Sequence, residues 1–331
     1  MPERNYICAF GLLLVAGLAL SQNPPLTIRV DVPLVTVNVE VSDSYGRPVI
    51  SLHSEDFLVY EDGQLQSVQT FGSAEAPYSL VLMFDCSEST EREFPLLTAA
   101  VSRFSEHRRP SDRILIAAFG SQVQIIRNWK EKKDRVLERY RGTCYGTNFY
   151  DAVRWTIDRL RGVKGRRGVV MLTDAVDSNI PRRTATIDGR RVDQFVDFGA
   201  DRKFQKALRA MEQSGISFYF VAVNTDRNPG FEIPEDLTNI VLPDFRQMRF
   251  RMEEMAGVSG GSVVYPTEPA DVVPMYQQLA QRLGSTYSLG YVSANPVTDG
   301  GSRRIEVRVR PKDLSVRQSR NSYTPRQERL E

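Results

Sequence analysis

Residues 34–41, LVTVNVEV, place a valine at every second position with mostly polar residues between them. That period of two predicts a half-buried β-strand. SDSYGRP then reads as a turn, EDFLVYEDGQ as a strand entering an Asp-Gly turn, and SVQTF as a further strand. Residues 22–73 therefore predict a small β unit without helical periodicity. A unit of about 50 residues is marginal as an independent core, so it is expected to lean on another part of the chain.

The pattern changes at residue 74. SLVLMFD (79–85) is apolar at both odd and even positions, as in a strand covered by helices on both faces. RILIAAF (113–119), RGVVMLTD (167–174) and ISFYFVAV (216–223) repeat that character, QVQIIRNW reads as a shorter edge strand, and GSVVYP as a short strand. Between them lie helical patterns: TEREFPLLTAAVSRFSEH with Pro95 in its first turns, NFYDAVRWTIDRLRG, DRKFQKALRAMEQSG with its glycine stop, RQMRFRMEEMAGVSGG and PADVVPMYQQLAQRLG. Strands alternating with helices predict an α/β domain over 74–293, built on an open, mostly parallel, doubly wound sheet. STYSLGYVSAN and SRRIEVRVR return to period two. Residues 303–309, within a C-terminal β region at 294–317, are expected to pair with the N-terminal β unit, and 318–331 to be an unstructured tail. The segment 177–200 is long for a connection and reads as a lid-like insertion or a partly disordered loop.

Composition changes this picture little. Of 331 residues 41% are apolar and 25% charged, and the net charge is +2, so no global field points to nucleic acid. Residues 1–21 are different. A short polar start with Arg4, the run ICAFGLLLVAGLAL and small residues Ala19 and Ser21 read as a secretory leader. The run is short for a spanning helix, so the chain is expected to be exported to the periplasm, cell surface or medium, with no stable membrane span after leader cleavage. An uncleaved N-terminal anchor would leave the same domains outside the membrane.

Open α/β sheets build sites beyond the carboxyl ends of their strands. Three stretches place oxygen donors there: DCSES, with Asp85, Ser87 and Ser89; GTN, with Thr147 at a helix start and Asp151 one turn on; and TDAVD, with Asp174. Two carboxylates and three hydroxyls suit a hard cation such as Mg²⁺. Each residue also has an ordinary structural use: Asp85 or Ser89 as an N-cap, Thr147 and Asp151 as helix-start residues, Asp174 as a strand-end turn.

The same stretches carry a family resemblance. DCSES matches the Asp-x-Ser-x-Ser signature of the metal-ion-dependent adhesion site of von Willebrand factor type A domains. GTNFYDAV resembles that family's threonine loop, and VVMLTDAVDS its final aspartate strand. The flanks, VTVNVEVSDSYGRPVISLHSEDFLVYEDGQLQSVQTF before and LAQRLGSTYSLGY with RRIEVRVR after, resemble a bacterial subgroup of exported proteins with related domains. The resemblance implies that Ser87, Ser89 and Thr147 ligate Mg²⁺ (Mn²⁺ or Ca²⁺ as substitutes), with Asp85 and Asp174 acting directly or through water. It further implies that an open position accepts an Asp or Glu of a protein partner. Cys86 and Cys144 then fall in two of the metal loops. They either form a disulfide that clips those loops or stay separate thiols, since serines that face an ion turn Cys86 away.

Enzyme readings are weaker. A Mg²⁺-dependent phosphoryl hydrolase using Asp85 as nucleophile would expect a second acid two residues later, where Ser87 stands. No Gly-x-Ser-x-Gly elbow serves a serine hydrolase, and His53 and His107 fall away from the strand ends. No phosphate loop or Cys/His zinc cluster is present. The reading is a metal-dependent, non-enzymatic protein-binding module, with a metal-independent envelope scaffold acting through the β unit as the alternative.

Overall fold

A computed structural model describes residues 34–87, 90, 95, 99–100, 109–129, 144–180, 182–187, 190–195, 199–223, 245–295 and 300–325. The leader, Ser89, most of the helix read at 90–107 and residues 326–331 lie outside these. The valine alternation becomes β1 (Leu34–Ser42), whose Val35, Val37, Val39 and Val41 are buried. β2 (Phe57–Glu61), β3 (Gln64–Gln66) and β4 (Val68–Gly72) follow, the first two joined at Asp62-Gly63, both with positive φ.

β5 (Tyr78–Asp85) is buried at all eight positions. β6 (Arg113–Phe119), β7 (Val123–Arg127), α1 (Phe149–Leu160) and β8 (Arg166–Thr173) come next. They are followed by β9 (Arg182–Ile187), β10 (Arg190–Phe195), α2 (Arg202–Ser214), β11 (Ser217–Ala222), α3 (Phe245–Ser259), β12 (Ser262–Val264) and α4 (Val272–Ser285). Six strands form one sheet in the order β12-β11-β8-β5-β6-β7, parallel except for the edge pair β6 and β7. The α/β architecture read from the sequence is the one observed.

Both sheet faces are covered. Val81, Met83, Leu115, Val169, Met171, Phe218 and Phe220 pack with residues of α1, α2 and α3. Leu80, Leu82, Phe84, Ile116, Val170, Leu172 and Val221 pack with Val272, Tyr276, Leu279 and Leu283 of α4. Alternate residues of one strand feed opposite layers, which is why these strands show no apolar–polar alternation.

α4 runs directly into β13 (Thr286–Val292). β13 fell inside the 74–293 domain in the sequence reading. Its seven residues instead pair antiparallel with β1, giving a sheet ordered β15-β1-β13-β4. The physical reason is its one-sided alternation: Tyr287, Leu289 and Tyr291 are fully buried against Phe57, Val59, Ile305 and Val307. At Gly290 the strands come so close that a Cβ would lie 2.2 Å from Thr70 Oγ1.

β14 (Arg303–Val309) pairs with β2 in a second antiparallel sheet, ordered β16-β14-β2-β3, and both sheets share one core. β15 (Ser315–Gln318) and β16 (Ser322–Tyr323) belong to the two sheets, which corrects the unstructured reading of 318–331 as far as residue 325. Polar anchors hold this short segment. Ser319 N–H donates to Asn38 O and Ile305 N–H to Asn321 O. Tyr323 OH donates to Glu61, and buried Arg320 donates to Val258 O. The segment 177–200 contains the hairpin β9–β10, a two-stranded sheet of its own.

The chain crosses between the β sandwich and the α/β sheet twice, and arginines hold both crossings. Arg166 donates to Ala76 O on the way in and to Leu283 O and Thr286 O on the way out, with Tyr78 under its guanidinium. Arg109 likewise bonds Ala74 O and Gly284 O. Replacing Arg166 by alanine strips the buried Leu283 and Thr286 carbonyls and the half-buried Ala76 carbonyl of a charged donor and is expected to cost about 2–4 kcal/mol in urea unfolding. An unchanged midpoint would show that solvent takes over these bonds.

Candidate functional site: three loops at the carboxyl end of the sheet

β5 and β8 are parallel neighbours with Phe84 opposite Leu172, so Asp85 and Asp174 leave adjacent strands at the same end of the sheet. Both are buried, at 1% and 3% exposure. Asp85 Oδ1 accepts the Ser87 N–H at 3.0 Å, and its Oδ2 accepts the Thr173 hydroxyl at 2.8 Å. Thr90 Oγ1, 2.8 Å from Asp85 O and 3.1 Å from Ser87 O, closes the turn beneath them. Ser87 is buried as well.

Asp174 is followed by Ala175 at φ 59°, a left-handed conformation that costs a non-glycine residue about 1 kcal/mol or more. The bend lets Asp174 Oδ1 accept the Val176 N–H at 2.9 Å, while the Ala175 N–H reaches Thr173 Oγ1 at 2.9 Å. Thr173 thus serves both loops, a role no sequence signal had marked.

Thr147 stands two residues before α1, and Asp151 in the first turn of that helix, as read from the sequence. The Asn148 side chain does not cap α1; Asp177 Oδ2 accepts the Tyr150 N–H from across the loop, at 3.1 Å. The Thr147 N–H donates instead to Ser178 Oγ, and Thr147 O accepts the Ser178 N–H, each at 2.8 Å. Thr147 is buried, so two loops close on one hydroxyl-bearing residue. Asp177 and Ser178 were not singled out from sequence. Their signal was the second acid in TDAVDS, but only the tertiary contact shows which acid caps α1. Asp151 is exposed and lies 3.7 Å from Arg154, an ordinary surface pair.

Cys86 and Cys144 form a disulfide, with Cα atoms 5.3 Å apart and both residues buried. The alternative of two separate thiols is removed. The geometric objection fails because both cysteines are buried in one apolar layer, the one that includes Val272, Tyr276, Leu279 and Leu283 of α4, and meet there.

The electrostatics are unusual. Burial, then the neighbouring charge of Asp174, push the Asp85 carboxyl well above the usual carboxylate range, against hydrogen bonds from Ser87 and Thr173. Two adjacent buried carboxylates with hydroxyl-bearing neighbours fit a hard cation, whose charge would offset that repulsion. Among the described residues no three His, Cys, Asp or Glu side chains are grouped to hold a metal.

Residues 80–176 match the family model of the von Willebrand factor type A domain. That span contains every candidate donor and runs from β5 to the Asp174 turn. The fold is similar to an aerotolerance-related membrane protein from Bacteroides fragilis NCTC 9343, at 13% identity and TM-score 0.43, covering 62% of this chain and 99% of that one. It is also similar to BatB from Bacteroides thetaiotaomicron, at 14% identity and TM-score 0.41, covering 62% and 98%. A von Willebrand factor type A structure from Catenulispora acidiphila shares 8% identity, with TM-score 0.45 and coverage of 89% and 75%. Comparison with curated proteins gives no match. Among the described residues no helix is long and apolar enough to cross a membrane.

The raised Asp85 pKa sets a sign for pH dependence. The unfolded chain releases this proton first, so the folded state holds the extra proton between the two pKa values and stability falls as pH rises. In chelator, the protein is expected to be less stable at pH 8 than at pH 5, with Asp85→Asn removing about 1–3 kcal/mol of that difference. Equal pH slopes for both proteins in urea unfolding would refute it.

Proposed function

We propose that the chain is a cation-dependent protein-binding module of an exported protein. The observation that carries this is the side-by-side burial of Asp85 and Asp174 at the sheet end, where burial first and then the Asp174 charge push the Asp85 carboxyl up. In this reading Asp85, Ser87, Ser89, Thr147 and Asp174 hold Mg²⁺, directly or through water. The ion supplies one open coordination position, which attracts an Asp or Glu of the partner.

The surrounding surface supports an interface. Tyr145 is 74% exposed two residues before Thr147, on backbone fixed by the disulfide and by a Ser121 N–H bond to its carbonyl. A rigidly held aromatic beside a charged anchor is typical of residues that dominate binding energy. Asn148 and Asn179, bonded to each other at 2.6 Å, add exposed amides to the same face. The disulfide supports an oxidising location such as the periplasm, cell surface or medium. A binding role without catalysis also suits Asp85, whose two carboxylate oxygens are engaged by Ser87 and Thr173 rather than presented as a nucleophile.

Calorimetry with Mg²⁺ and Mn²⁺ tests the ion. Wild type is expected to take up one ion and Asp85→Ala none; equal uptake removes the reading. Peptide display tests the partner chemistry. Selection in Mn²⁺ with chelator elution is expected to enrich Asp- or Glu-bearing peptides, and Tyr145→Ala to weaken them by about 1–2 kcal/mol. Chelator-insensitive peptides without an acid would shift the binding role to the β sandwich.

A further inference from the structure

We propose that the Cys86–Cys144 disulfide is a positioning element of the cation site, and that its closure and cation binding favour one another. This rests on the reading that Asp85, Ser87, Thr147 and Asp174 hold the ion. Cys86 stands between two of those residues, and Cys144 three positions before a third. The bond therefore joins the two donor loops at their roots, where a small backbone shift moves a hydroxyl or carboxylate most directly.

The loops are already in register around it. Cys86 N–H donates to Phe119 O, Cys144 N–H to Cys86 O, Ser121 N–H to Tyr145 O and Asn148 N–H to Gly120 O. The second loop lies directly on Gly120: a Cβ there would fall 2.4 Å from Cys144 Cβ and 3.0 Å from Gly146 O. On its other side the Thr147–Ser178 pair ties that loop to the Asp174 turn. With the disulfide closed, Thr147 is held from both flanks, toward Asp85 and toward Asp174. With it open, the covalent tie between the Cys86 and Cys144 loops is lost, and the hydrogen bonds around them have to hold the two loops in place.

Opening requires a dithiol reductant. Two electrons and two protons pass to the protein, the S–S bond becomes two thiols, and the reductant closes to its own disulfide. Both sulfurs are buried, so the bond resists casual reduction and its state is set mainly by the stability of the loops it joins. By linkage, if closure tightens cation binding by some factor, saturating cation stabilises the closed bond by that same factor. A purely global staple lacks this reciprocity, because it acts on the unfolded chain.

The test uses the full chain carrying Cys8→Ser, so that only this pair reports. Its reduction midpoint is measured in dithiothreitol redox buffers with chelator and with saturating Mg²⁺. In parallel, Mn²⁺ affinity is read by electron paramagnetic resonance for this protein and for the further Cys86→Ala/Cys144→Ala variant. Mg²⁺ is expected to move the midpoint about 30 mV to more reducing potential, and the variant to bind Mn²⁺ about tenfold more weakly while folded. A midpoint indifferent to Mg²⁺ in a protein that binds Mn²⁺ overturns the proposal, even if the variant fails to fold. A folded variant with undiminished affinity does so too. Absence of Mn²⁺ binding by the disulfide-closed protein with Asp85 intact, or equal binding with and without Asp85→Ala, instead removes the cation site itself.

Discussion

Two carboxylates, Asp85 and Asp174, are buried side by side where neighbouring parallel strands end. Their burial, and after it their mutual repulsion, is the constraint that the loops at this end of the sheet answer. A charge in this position is costly unless hydrogen bonds or a cation meet it. The chain meets it partly with its own groups: the Ser87 amide and Thr173 hydroxyl on Asp85, and the Val176 amide on Asp174. These contacts orient the oxygens without neutralising them, the condition a divalent cation would complete.

Holding that arrangement takes rigid loops. Ala175 accepts a left-handed backbone, Asp177 rather than a local residue caps α1, and Ser178 grips Thr147. The disulfide performs the same task from the opposite side. Of these devices Ala175 carries backbone strain, at φ 59°. The doubly covered sheet beneath supplies the stability that makes such strain tolerable.

The β sandwich is not an appendage added at one terminus. β1, β2 and β14 come from both ends of the chain, and β13 continues without a break from α4. Arg109 and Arg166 tie the two crossings to each other, so the sandwich and the α/β sheet share their junction. The buried Glu61, accepting the hydroxyls of Tyr291 and Tyr323, extends this polar bracing to the C-terminal segment.

Much of this was legible in residue order, because periodicity reports which faces are buried. The unbroken apolar run at β5 led directly to the doubly covered sheet, and the valine alternation of β1 to its core face; the half-buried reading of β1 missed that Thr36 and Asn38 on the other face are buried too, Asn38 donating to Ser217 Oγ and Gly260 O. The candidate donors were legible because sites in open α/β sheets fall at strand ends, and DCSES, GTN and TDAVD stand there. Partners distant in sequence were not legible. Period two alone could not assign β13 to β1, and the polar sequence after Gln318 gave no sign that a buried Arg320 would anchor it. Nor could spacing pair Cys86 with Cys144 or bring Ser178 to Thr147, because those contacts exist only after strands and loops are packed. The sequence by itself determined the element types and the chemistry available at the sheet end. The tertiary structure decided which groups meet there, since hydrogen bonds and disulfides depend on distances that chain order does not encode.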